Sequence, residues 1–188
     1  MRNLESDSSV LEIEQPEGIE AEKGMADFLS RDFSCISDIS RERSEFDDRN
    51  GIDMVADIEH EGQIYKLAIE VSGPDKKRRE EKAKRQWHTP IICLHDQNNK
   101  PVGDPIPRVL IGYNVGYLLS RQKEAEKLGV SIDAVMTDKE RSELKGNILN
   151  EILRQIDILS VDKSYRDAMK QIKEAFLEEQ KELEEMGL

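Results

Sequence analysis

The stretch that decides the reading runs from Gly51 to Ser72: Gly-Ile-Asp-Met-Val-Ala-Asp-Ile at residues 51–58, then His60-Glu61-Gly62-Gln63, then Tyr-Lys-Leu-Ala-Ile-Glu-Val-Ser at residues 65–72. Both arms alternate strictly, which is the period of a half-buried strand. Ile52, Met54, Ala56 and Ile58 form one apolar set, and Tyr65, Leu67, Ile69 and Val71 form its counterpart. A turn at residues 60–63, with Gly62 able to take φ > 0, joins them into a β-hairpin.

With Glu61 and Gly62 as the two central turn residues, Asp57 opposes Lys66 and Asp53 opposes Glu70. Directly opposed residues of an antiparallel pair have Cβ atoms about 5 Å apart. Two carboxylates so placed repel unless a cation or a shared proton lies between them. A slip of one residue would separate them, so the pairing is a statement about register. On these residues alone, a strand-capping Asp53 and a solvated Glu70 remain an equal reading.

Composition sets the frame. The chain has 188 residues, 36% charged, 37% hydrophobic and only 5% aromatic. That suits one helix-rich α/β domain with a modest core and a helical extension. No apolar run approaches the length that spans a bilayer, and no signal-peptide core opens the chain. Two cysteines, Cys35 and Cys93, fall in expected strands and read as small buried hydrophobes in a reducing, cytoplasmic setting. Two cysteines and three scattered histidines at no tight spacing argue against structural zinc. A net charge of −12 argues against generic, sequence-blind nucleic-acid binding.

Charge is uneven, however. Residues 1–16 read as a flexible acidic leader with a short strand or turn near Val10–Ile13. A helix follows over 17–30, with Glu22 projecting from its apolar face and Glu20 pointing outward. A first strand is expected over Phe33–Ile39, and a charged loop over Arg41–Asn50. Beyond the hairpin, Gly73-Pro74-Asp75 breaks the strand, and Asp75 is a plausible N-cap. The next helix, 76–87, is Lys76-Lys77-Arg78-Arg79-Glu-Glu-Lys82-Ala-Lys84-Arg85-Gln86-Trp, with seven cations in twelve residues. Such a run can hold phosphates beside an acidic site, although most charge runs are solvated faces laced with ion pairs.

Thr89–His95 is nearly all apolar and reads as a strand buried on both faces. Asp96–Pro107 reads as a loop and Arg108–Tyr113 as a fifth strand. His88 and His95 have no ligand spacing and read as ordinary. Helices are expected over 116–128, 139–159 and 163–186. The last two form an αα-hairpin packed on the sheet or on another subunit, so a homodimer or a protein partner through their stripe is an expectation. The acidic final dozen residues read as a solvated tip or as a guard over the basic helix.

Gly-Ile-Asp at 51–53, a short hairpin, and Ala-Ile-Glu-Val-Ser at 68–72 resemble the core of the PD-(D/E)XK nuclease superfamily. The resemblance covers roughly residues 17–113. It implies a restriction-endonuclease-like α/β core over 17–128, with a mixed central sheet of about five strands flanked by helices and a C-terminal helical extension over 129–188. It further implies that Asp53 and Glu70 bind Mg²⁺ or Mn²⁺, with Glu22 completing the cluster from the first helix. Gln86 resembles a glutamine that faces the metal in some branches. The family's lysine position holds Ser72, a departure, and the tyrosine that often follows the glutamine is absent. In some branches the lysine has migrated, which makes Lys77, Lys82 and Lys84 candidates. Lys66 is a poorer one, because four strand residues put it roughly 13 Å from Glu70. The implied function is metal-dependent hydrolysis of DNA or RNA, with Lys76, Lys77, Arg78, Arg79, Lys82, Lys84 and Arg85 on the nucleic acid. The alternative is a nuclease-like fold that has lost its chemistry and serves as an interaction module.

Overall fold

The computed structural model describes residues 16–41, 47, 51–73, 75–112, 115–159 and 166–185. The proposed leader strand, most of the charged 41–50 loop, Tyr113 and Tyr165 lie outside the described residues. Five strands form one mixed sheet, with helices packed on it. Among the described residues no helix is long and apolar enough to cross a membrane.

The hairpin consists of β2 (Met54–His60) and β3 (Gln63–Val71). Glu61 and Gly62 both take positive φ, 50° and 74°, the geometry of a two-residue type I′ turn whose twist suits antiparallel strands. His60 and Gln63 pair with each other across the two central turn residues expected from sequence, so the strands run right up to the turn. Met54 pairs with Ile69 and Asp57 with Lys66, which is the register read from the alternation. Met54, Ala56, Ile58, Leu67, Ile69 and Val71 enter the main core. Ile52 does not. It precedes the strand and joins Val55, Ala68, Ile92 and Ile106 in a smaller cluster.

Strand order is β1-β2-β3-β5-β4, with β3 and β5 parallel and the other pairs antiparallel. The edge strand β1 (Ile36–Ser40) starts later than expected, because α1 runs from Pro16 to Asp32 and Phe33–Cys35 make the turn out of it. Cys35 is buried in that turn, and Cys93 is only half-buried on β4. Strand β4 (Ile91–His95) was expected to be buried on both faces. It is instead an outer strand, mostly half-buried, because β5 (Pro101–Ile111) lies between it and β3.

The expected 96–107 loop is largely strand. β5 begins at Pro101 and pairs with β4 from Pro101 to Pro107, then with β3 from Arg108 to Ile111. Its three prolines lie in the half that has one strand neighbour, where a missing N–H costs little.

One face of the sheet carries α1, α3 (Val115–Leu128), α4 (Asp138–Leu159) and α5 (Arg166–Glu185). Leu144, Ile148, Leu149, Ile152, Met169, Ile172 and Phe176 of the last two helices share one core with Met25, Phe28 and the hairpin. The stripe that suggested a dimer surface is therefore covered within the chain. Phe33 seals the junction, edge-on to Phe28 at 6.3 Å and to Phe176 at 6.2 Å. At the start of α4, Thr137 Oγ1 accepts from Glu140 N–H at 3.2 Å while Thr137 N–H donates to Glu140 Oε2 at 2.8 Å, a capping box.

Candidate functional site

The open end of the hairpin, away from its turn, carries the acidic pair. Asp53 enters just before β2, where its N–H donates to the Ile69 carbonyl at 3.1 Å, so the backbone holds it in register opposite Glu70. Its Oδ2 accepts the Val71 N–H at 2.5 Å. Asp53 is 5% exposed and Glu70 fully buried, which rules out the solvated reading of Glu70. Carboxylates withdrawn from water in this way require cations.

Two basic residues supply them. Helix α2 (Lys76–His88) leaves β3 with Asp75 as its N-cap, Oδ1 accepting the Lys77 N–H at 2.8 Å. Arg79, Lys82 and Gln86 recur at helical spacing and form its inward face. Lys82 Nζ donates to the Val71 carbonyl at 2.6 Å and to Asp53 Oδ2 at 3.3 Å, and stands 3.6 Å from Glu70 Oε1. Three oxygens thus converge on one ammonium. From β5, the fully buried Arg108 brings Nε to 4.0 Å from Glu70 Oε2.

Gln86 is buried but turned to the backbone. Its Nε2 donates to the Arg108 carbonyl at 3.2 Å and to Gln155 Oε1 of α4. Gln155 in turn accepts from Leu110 N–H and donates to Leu110 O, both at 2.8 Å, pairing with β5 where β4 has ended. Gln86 therefore braces the strand that carries Arg108. Ser72, at the expected lysine position, donates its N–H to Ile111 O at 2.8 Å, while its buried Oγ has no hydrogen-bond partner among the described residues. Lys66 pairs with Asp57 at 2.7 Å, as the register requires. Glu22 is buried on α1, 3.9 Å from Arg41 Nη2. Among the described residues no three His, Cys, Asp or Glu side chains gather into a metal-holding group. The carboxylate chemistry rests on Asp53 and Glu70.

Of the basic run, Lys76, Lys77 and Lys84 are exposed and Arg79 is half-buried with its stem against Gly112. The side chains of Arg78 and Arg85 lie outside the described residues. Lys76 also pairs with Glu80 at 3.9 Å.

Sequence reading missed Arg108 and Gln155, and it named Lys82 only as one of three candidates. The signal for Lys82 was present in spacing, since it lies one helical turn before Gln86, the residue read as facing the site. Nothing local marks Arg108. His95, read as ordinary, meets a partner from the charged loop, with Asp47 Oδ1 at 3.0 Å from its Nδ1 and Asp47 Oδ2 accepting its N–H at 2.9 Å.

A cleft of about 340 Å³ opens at the opposite, turn end of the hairpin, lined by Cys35, His60, Glu178, Glu179 and Glu182 among others. His60 Nδ1 is engaged there by Gln171 at 2.7 Å, and Glu179 by Lys145, Ser34 and Cys35.

The class defined by these observations is an α/β protein with a mixed five-stranded sheet and a lysine-bridged carboxylate pair on its central hairpin. No family model matches the chain, and no curated protein and no solved structure matches it significantly.

Proposed function

We propose that this protein is a divalent-metal-dependent nuclease of PD-(D/E)XK type, in which Lys82 of the basic helix stands in for the lysine that Ser72 replaces. The observation that carries the reading is the convergence of Val71 O, Asp53 Oδ2 and Glu70 Oε1 on a single cation, Lys82 Nζ. These are hard oxygen donors, two of them anionic, and they fit Mg²⁺ or Mn²⁺ rather than zinc. Such an ion, when bound, polarises a scissile phosphate and lowers the pKa of coordinated water.

The chain's own residues do the rest. Asp53 and Glu70 are held opposite each other by the hairpin register. Arg108 holds Glu70 in place from the buried side. Lys82 lies within reach of any phosphate oxygen or water brought to the carboxylates. Lys76 and Lys77 open α2 in a first turn that lacks acids, where the helix dipole already favours anions. A nucleic-acid backbone would relieve that accumulation of positive charge.

The test is cleavage of DNA and RNA with Mg²⁺ or Mn²⁺, alongside Asp53→Asn and Glu70→Gln. Each substitution is expected to lower the rate by about 100-fold or more. Wild-type protein that cleaves neither substrate and takes up no metal in their presence would sink the proposal.

A second reading is the interaction module without chemistry. It is favoured by the charge balance already present, since Lys82 and Arg108 together offset Asp53 and Glu70 without a metal. A protein that binds nucleic acid equally well with and without EDTA, and cleaves none, would fit this reading.

A further inference from the structure

We infer that Lys82 is an exchangeable latch: its ammonium and the divalent cation are alternative occupants of one oxygen cradle, and the displaced ammonium passes to substrate phosphate. The inference rests on the metal site proposed above, and concerns how that site is kept closed until substrate arrives.

The geometry enforces the exclusion. Lys82 Nζ lies 2.6 Å from Val71 O, 3.3 Å from Asp53 Oδ2 and 3.6 Å from Glu70 Oε1. Mg²⁺ takes its oxygens at about 2.1 Å, so an ion on these three atoms would occupy the space the ammonium holds. Charge adds to the conflict. With Lys82 and Arg108 in place the two carboxylates are already neutralised, and a divalent ion added to them would leave a surplus of two positive charges.

One of the two basic residues can leave. Arg108 is 1% exposed on a strand of the sheet, whereas the Lys82 side chain is 25% exposed on a helix whose outer face is solvent. Its four-carbon stem can swing outward without moving backbone. It then stands beside Arg79, one helical turn away on the same face, where a second cation is unfavourable unless a polyanion shares the space. Phosphate therefore stabilises the outward lysine, and the outward lysine opens the cradle. Metal and nucleic acid should bind with positive coupling, each raising the affinity for the other by the same factor.

The experiment is calorimetric titration of Mn²⁺ into the full chain as wild type, Lys82→Met and Lys82→Arg, with and without a short DNA duplex. Lys82→Met is expected to bind Mn²⁺ about tenfold more tightly than wild type in the absence of DNA, because nothing competes for the cradle. Lys82→Arg should stay as weak as wild type. The duplex should tighten Mn²⁺ binding to wild type and leave Lys82→Met little changed. Equal or weaker binding by Lys82→Met, with Asp53→Asn still abolishing uptake, overturns the latch and leaves the metal site standing. No uptake by wild type or Lys82→Met, with or without DNA, removes the metal site and the latch with it. Lys82→Gln, which keeps a hydrogen-bond donor without the charge, serves if Lys82→Met does not fold.

Discussion

Lys145 and Lys82 each meet buried carboxylates, and the contrast between them separates a staple from a site. At one, Lys145 of α4 pairs with Glu179 of α5, and that single carboxylate also accepts from Ser34 Oγ at 2.6 Å and Cys35 N–H at 2.7 Å. One acid is saturated by three donors. Burial pushes Glu179 up, but Lys145, Ser34 and the Cys35 backbone outweigh it and hold the carboxyl below its ordinary range. The neighbouring Cys35 thiol is pushed up by burial and by Glu179, which keeps it protonated and unreactive. At the other, Asp53 and Glu70 share one lysine that is partly open to solvent. Saturation fixes the first arrangement, whereas sharing leaves the second open to exchange.

The contrast breaks most sharply at Glu70. Glu70→Ala leaves Arg108 buried without its carboxylate, and is expected to cost about 3–5 kcal/mol. The shift in urea midpoint at unchanged slope measures it. Glu179→Ala should cost less, about 2 kcal/mol, because Lys145 is 12% exposed and can turn toward water. Metal binding should survive that second change. A Glu179→Ala protein that loses Mn²⁺ uptake while remaining folded would show that the two regions are not independent.

A comparable effect is expected at the brace on β5. Gln155→Leu strips partners from both the N–H and the C=O of Leu110, at about 1–3 kcal/mol. Hydrogen exchange at Leu110 should accelerate while exchange in β1 stays slow.

The smallest effect lies at the α4 cap. Thr137→Ala removes half of the capping box and should cost about 1 kcal/mol. Glu140 is held down to about 2, from an ordinary value of 4.5, first by the Thr137 N–H and then by the Tyr117 and Thr137 hydroxyls. A depressed carboxylate contributes stability that is fully present above pH 4.5 and is lost as pH falls toward 2. Thermal melts of Thr137→Ala should therefore show a shallower loss across that window than wild type. Equal slopes would mean that the Thr137 N–H and the Tyr117 hydroxyl hold Glu140 down without the Thr137 hydroxyl.

Much of the hairpin was legible because its information is local. Alternation and a two-residue turn fix both the strands and their register, and register alone puts Asp53 opposite Glu70. The helices were legible to within a few residues for the same reason. Burial of β4 was misjudged because an apolar run says nothing of which strands flank it, and the 96–107 segment was misjudged because its prolines fit an outer strand half as well as a loop. The pairing of His95 with Asp47 was not legible because the two lie 48 residues apart.

The sequence by itself determined the hairpin, its turn, the opposed carboxylates and the basic helix that follows, since each depends on neighbours within about twenty residues. Only the tertiary structure decided which cations answer those carboxylates. Lys82 is selected by the face that α2 presents to the sheet. Arg108 is selected by the parallel pairing that sets Glu70 beside Leu110. Those choices depend on packing between segments far apart in the chain, and no local periodicity encodes them.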